Sequence, residues 1–474
     1  MGLSFALEVD SPADLAYDEQ RADALITVTA HSAAGPSPQV QSAQVLIMDR
    51  SLSMSRHKLD EAKRAMCAAI DTLRDGTLLG VVAGNHQAEV IFPPTEGLAV
   101  VDARSREDAK LRVAGQLAEG GTAIGQWLAR ARDLFASVHS PGTVRHAVLY
   151  TDGKDEHETP EQLAEILASC ADRFICHARG LGEDWHHDEL LRITQALHGT
   201  AEAVVTIADL TEDFTHLMRE ARRIVVPRLY LGLRLNSRFR LAFVRQTRPT
   251  EADLTVRQVL DGETHVPLGS WPAESRQYQV SLRFDPESLT VDELMRAARV
   301  TLHAEFPDGT RRPCSGTEAM AVRRRATPGF GVVRSPDLTR VENERELGMA
   351  MRACADAGLR GDLDRADREL RLATGLAESL GDTARLRLLR AVATTGPDGR
   401  PRLRRDASRG QMLRIGVDST KTVSHPAESR ELPLRDTGLP RVCPRCDTTA
   451  ASPTARFCEE CGHPFGAGGP VDAW

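Results

Sequence analysis

Val45-Leu-Ile-Met-Asp-Arg-Ser-Leu-Ser53 is the stretch on which the reading of the fold turns. Its four apolar residues, Val45 to Met48, read as a strand buried on both faces, and the run stops at Asp49 with hydroxyls at Ser51 and Ser53. In an open α/β sheet, ligands bind just beyond the carboxyl ends of the strands, so these three oxygen-bearing side chains point to one cation. Hard oxygen donors of low total charge suit Mg²⁺, which accepts few protein ligands and keeps waters in its octahedral shell. Three oxygens leave that shell incomplete.

Two later stretches supply more. Glu119-Gly-Gly-Thr-Ala-Ile-Gly125 sets the Thr122 hydroxyl after paired glycines, ahead of a helix expected through Trp127, Leu128, Ala131 and Leu134. A second apolar strand, Ala147 to Tyr150, ends in Thr151-Asp152-Gly153. Strand-loop, GGT-helix and strand-TDG in this order resemble the von Willebrand factor type A family. Its metal-ion-dependent adhesion site is a D-x-S-x-S loop with a distant Thr and a distant Asp, matched here by Asp49, Ser51, Ser53, Thr122 and Asp152. The family often carries glycine between the two serines, where this chain has Leu52; the change bears on loop shape and removes no ligand. The resemblance implies a doubly wound, mostly parallel, Rossmann-like sheet. It also implies Mg²⁺ or Mn²⁺ at these five residues, with one coordination position open to an Asp or Glu carboxylate of a partner protein.

Around this centre, βαβ alternation predicts an α/β domain over 41–224. Its expected elements are a helix through Leu59, Met66 and Leu73, strands at 79–83 and 88–92, a helix at 160–168, a strand at 174–178, a helix at 188–197, a strand at 203–207 and a helix at 209–224. From 225 to 333 the pattern turns to period-two strands, among them 228–235, 278–284 and 298–305, as in a β-sandwich. Extended segments at 3–9 and 24–29, within residues 1–40, would be its N-terminal strands, with the metal-binding domain set in or beside the sandwich. Residues 337–393 carry apolar positions at helical spacing (Leu347, Met351, Leu363, Leu370, Leu380) and read as a helical hairpin region that breaks at Gly358, Gly361 and Gly381. Pro, Gly, Arg, Ser and Thr dominate 394–440, which reads as a flexible linker whose Ser408, Ser419, Thr420, Thr422 and Ser424 are candidate phosphate acceptors. Its basic run from Arg400 to Arg405 is expected to be solvated.

Cys443-Pro-Arg-Cys446 and Cys458-Glu-Glu-Cys461, in 441–465, are two C-x-x-C knuckles eleven residues apart and predict a zinc ribbon in which four thiolates hold Zn²⁺. The other five cysteines are scattered, which excludes a secreted disulfide framework.

The 474 residues are enough for about three domains. A net charge of -7 gives no general drive toward nucleic acid or anionic membrane. No apolar run approaches membrane-spanning length and MGLSFALEVDSPADLAY lacks the layout of a signal peptide, so a cytoplasmic protein is expected.

Catalysis is not expected. A phosphatase of the haloacid dehalogenase type needs a second Asp where Ser51 stands, and neither a P-loop nor a nucleophile-histidine set is evident. His186-His187-Asp188 is expected to be an exposed cluster, since adjacent side chains diverge on a helix. The chain therefore reads as a protein-interaction scaffold. Its expected setting is a bacterial Ser/Thr kinase and phosphatase system, or else partnership with a metal-inserting or remodelling ATPase.

Overall fold

The computed structural model describes residues 3–32, 40–54, 56–140, 142–153, 155–204, 207–224, 226–306, 309–326, 335–396 and 399–422. Strands β1 (Leu3–Asp10), β2 (Asp14–Leu15) and β3 (Arg21–Ser32) precede β4 (Ser42–Asp49), which carries the apolar run ending in Asp49. After β4 come α1 (Arg56–Thr72), β5 (Leu78–Gly84), β6 (Ala88–Phe92), β7 (Ala99–Val100), α2 (Ala103–Ala114), α3 (Ile124–Ala136) and β8 (Val144–Thr151). The alternation continues through α4 (Pro160–Cys170), β9 (Ile175–Leu181), α5 (His187–Ala196), β10 (Ala201–Val204) and α6 (Ile207–Arg223). These strands form one sheet in the order β10-β9-β8-β4-β5-β6, with β7 also on β5. All neighbours run parallel except β6 and β7, which lie antiparallel to β5.

β4 sits between β5 and β8 and is buried on both faces, because successive side chains point to opposite sides of a strand. Val45 and Ile47 join a core with Trp127, Leu128 and Leu163, while Leu46 and Met48 join one with Leu59, Met66 and Phe214. Helices thus cover both sides of the sheet, and the strand has to be apolar throughout. α2 was not foreseen. It starts from an Asp102–Ser105 capping box, but only Ala109 and Val113 are buried, too thin an apolar stripe to show a period.

Beyond α6 run β11 (Val226–Leu235), β12 (Phe239–Arg248), β13 (Ala252–Leu254), β14 (Gln258–Leu260), β15 (Glu263–Trp271), β16 (Ser275–Phe284), β17 (Leu294–Glu305), β18 (Arg311–Pro313) and β19 (Glu318–Arg324). They make two largely antiparallel sheets, β1-β3-β16-β12-β13 and β14-β15-β11-β17-β19-β2, with β18 beside β17. Strands before residue 33 therefore pair with strands after residue 270, and the whole 42–224 sheet lies between them in sequence. One apolar cluster takes Ile26, Val28, Tyr278 and Leu282 from the first sheet and Leu229, Leu231, Val300 and Leu302 from the second.

The C-terminal part of the described chain corrects two expectations. Instead of one hairpin, residues 336–392 form three helices, α7 (Pro336–Arg360), α8 (Leu363–Leu380) and α9 (Thr383–Val392). Gly361 and Gly381 do end helices in left-handed geometry, each followed by an Asp that caps the next. Gly358 lies inside α7, where a Cβ would come within 2.7 Å of the Met412 sulfur, so it serves close packing rather than a break. The described residues of the expected linker, 394–396 and 399–422, carry regular elements. β20 (Ala393–Thr395) pairs with β21 (Pro401–Leu403), and α10 (Arg409–Asp418) buries Met412, Leu413, Ile415 and Val417. Hydrophobic residues every one to two positions over 412–417 outweigh the loop-like composition around them. Ser408 caps α10, and Ser419 and Thr420 are buried, so these hydroxyls are structural. Ser424, the rest of the expected linker and the cysteines at 443, 446, 458 and 461 lie outside the described residues.

Candidate functional site

Asp49 ends β4 and Thr151 ends β8, so the two neighbouring strands deliver their polar termini side by side. The buried Asp49 carboxylate accepts hydrogen bonds from the Ser51 backbone N–H at 2.8 Å (Oδ1) and the Thr151 hydroxyl at 2.6 Å (Oδ2). The Ser51 and Ser53 hydroxyls lie 2.8 Å apart, and Ser53 donates to Asp152 Oδ1 at 2.7 Å. Thr122 reaches the same place: a Cβ on Gly153 would stand 3.1 Å from Ser53 Oγ and 3.3 Å from Thr122 Oγ1. All five residues named from the sequence therefore meet at one spot. Asp49, Ser51, Thr122 and Asp152 are buried, and Ser53, with Leu52 beside it, opens to solvent.

The loops that carry these side chains are tied to one another by backbone bonds. Leu52 N–H donates to Gly120 C=O, Glu119 N–H to Arg50 C=O, and the Glu156 and His157 N–H groups both to Thr122 C=O. Gly120 has φ +70, which suits glycine, and a Cβ there would strike the His86 ring. α3 has no side-chain cap of its own. Asp155 and Glu158, after β8, accept instead from the N–H groups of Ile124 and Gly125 at 3.1 and 2.6 Å. Burial, then the nearby Asp155, pushes the Glu158 carboxyl up to about 7. Neither acid was picked out from the sequence; the signal available was a pair of carboxylates three and six residues beyond Asp152.

Lys58, on the first turn of α1, was also missed. Its ammonium lies 2.6 Å from Asp152 Oδ2 and 3.1 Å from Asp184 Oδ2. Among the described residues Asp49 has no such cation. Burial, with a smaller contribution from Asp152, raises its carboxyl to about 6 against the pull of the Ser51 and Thr151 hydrogen bonds. Two carboxylates and three hydroxyls on a rigid frame are a donor set that fits a hard divalent cation, which would offset the cost of this buried negative charge.

Residues 43–203 match the family described as von Willebrand factor type A domain. The solved structure of a von Willebrand factor type A protein from Catenulispora acidiphila is 33% identical and superposes with a TM-score of 0.80, covering 89% of this chain and 97% of that one. The chain belongs to the von Willebrand factor type A family. The ArnB paralog VWA2 from Sulfolobus acidocaldarius shares the fold at 12% identity and a TM-score of 0.53, covering 88% of this chain and 98% of its own. An uncharacterized Synechocystis sp. protein is 27% identical over 219 residues, and the match spans 45% of this chain and about half, 50%, of that relative. Among the described residues no helix is long and apolar enough to cross a membrane.

Proposed function

We propose that the chain is a non-enzymatic protein-interaction module that captures a partner's Asp or Glu carboxylate at a divalent cation held by Asp49, Ser51, Ser53, Thr122 and Asp152. Mg²⁺ or Mn²⁺, when bound, supplies a coordination position for that carboxylate. The chain's own residues do the rest: Asp49 and Asp152 balance charge, three hydroxyls complete the donor set, and the tied loops hold it in register. The observation that carries this reading is the buried, cation-poor Asp49 carboxylate standing among hydroxyls at the end of a parallel strand. The exposed Leu52 at the rim adds an apolar contact for a docking partner.

On this reading the protein works in the cytoplasm and the four C-terminal cysteines hold a structural zinc. The setting is a kinase and phosphatase system or a metal-inserting ATPase. Phosphorylation of the linker hydroxyls would favour the first setting, but Ser408, Ser419 and Thr420 are committed to α10 and the residues just after it and lend it no support. An affinity pull-down from native lysate, in Mg²⁺ and in chelator, with the intact protein and a Thr122→Ala variant, separates the settings. Capture should require both Mg²⁺ and Thr122; a partner retained equally in chelator would contradict the reading.

A further inference from the structure

His187 opens α5 with a polar ring that is fully buried, a correction to the expectation that it is exposed. His186 stays half-buried while His187 turns inward toward α7 and α10. Gly416 of α10 makes the room, since a Cβ there would stand 2.6 Å from the ring carbons. The His186 ring stacks at 5.4 Å and 10° between planes, so the imidazole is held from two sides. Its Nε2 faces Asp356 Oδ1 of α7 at 3.2 Å and Asp188 Oδ1 at 3.5 Å, yet neither ring nitrogen makes a hydrogen bond among the described residues. Leaving a buried imidazole unsatisfied is costly, so such a group asks for a partner.

We infer that His187, Asp188 and Asp356 form a second divalent-metal site, separate from the Asp49 site, that clamps α5 to α7. The donor atoms all lie within 4.8 Å of one another. Ligands about 2.1 Å from a tetrahedral ion stand roughly 3.4 Å apart, close to the two separations above. One neutral imidazole with two carboxylates is a borderline donor set, suited to Zn²⁺ and its neighbours rather than to a thiolate-seeking ion. Asp188 and Asp356 are 42% and 27% exposed, which gives the ion a route in.

The test uses the full chain, stripped by chelator and then titrated with Zn²⁺ in excess Mg²⁺, which saturates the Asp49 site. Asp356→Asn and the more exposed Asp188→Asn are compared with wild type. Any zinc at the C-terminal cysteines is common to all three. Each variant should bind one Zn²⁺ fewer, or that one at least tenfold more weakly, and lose the Zn²⁺-dependent rise in melting temperature while melting normally in chelator. Should Asp356→Asn fail to fold, Asp188→Asn decides. Equal stoichiometry and affinity in the wild type and a folded variant would overturn the site.

Discussion

Asp49 and Arg179 are both almost fully buried in the same parallel sheet, yet their surroundings differ in kind. Arg179, on β9 at 2% exposure, makes a two-pronged pair with Asp213 of α6 at 2.6 and 3.1 Å and donates a third bond to Thr200 C=O. The guanidinium is satisfied by the chain itself. Asp49, two strands away, has hydroxyl and backbone donors but no cation among the described residues, and its carboxyl is raised to about 6. Arg179 on β9 has its buried charge settled internally, as in a structural region, whereas on the proposed function the Asp49 charge at the carboxyl end would be offset by a bound cation. Buried charge by itself therefore does not mark a site in this chain; what sets Asp49 apart is that it has no counter-ion among the described residues, while its neighbour Asp152 is paired with Lys58.

The sharpest way to break the comparison is at Arg179. Arg179→Ala should cost about 3–5 kcal/mol by urea melt, because Asp213 is left without its partner, and Arg179→Leu with Asp213→Leu should recover part of the loss. A cost below about 1 kcal/mol for the single variant would remove the contrast.

A second difference lies in the sign of the pH response. His146, buried on β8, is pushed down to about 4, so the unfolded chain takes up a proton between the ordinary histidine value of 6.5 and about 4 while the folded chain does not. Stability should fall across that window, by about 3 kcal/mol from this residue, and His146→Gln should flatten the loss in a series of denaturant melts.

Asp49 works the other way. Its folded value lies above the ordinary one, so in chelator the protonated form is favoured, and the stability it gives is fully present below about 4 and lost as pH rises through about 6. Asp49→Asn should therefore stabilise the metal-free protein by about 2–3 kcal/mol at pH 7.5, with the gap closing toward pH 4. A metal-free Asp49→Asn protein no more stable than wild type at pH 7.5 would mean that the carboxylate is already compensated.

Much of the site was legible because it is built from strand ends: an apolar run that stops at an acid is visible in a linear sequence, and it happened twice, at Asp49 and at Asp152. What was illegible depends on contacts between distant elements. Lys58 is one basic residue among several on an amphipathic helix, and only folding brings it to Asp152 and Asp184. Asp155 and Glu158 cap a helix more than 30 residues earlier in the chain, and local capping rules are blind to that. α10 was read as linker because its flanks are rich in Arg, Ser and Gly, although Met412 to Val417 packs against α7 and α5. His187 was misread for a related reason, since the space that Gly416 leaves for its ring belongs to another helix.

The central claim is that the five oxygen-bearing residues hold a divalent cation on a frame that stands without it. Calorimetric titration with Mg²⁺ of wild type and Asp49→Ala, alongside thermal melts of both in chelator, tests it most directly. Wild type should take up one Mg²⁺, and Asp49→Ala should show no binding heat while melting at or above the wild-type temperature. An Asp49→Ala protein that binds Mg²⁺ as tightly as wild type would contradict the claim.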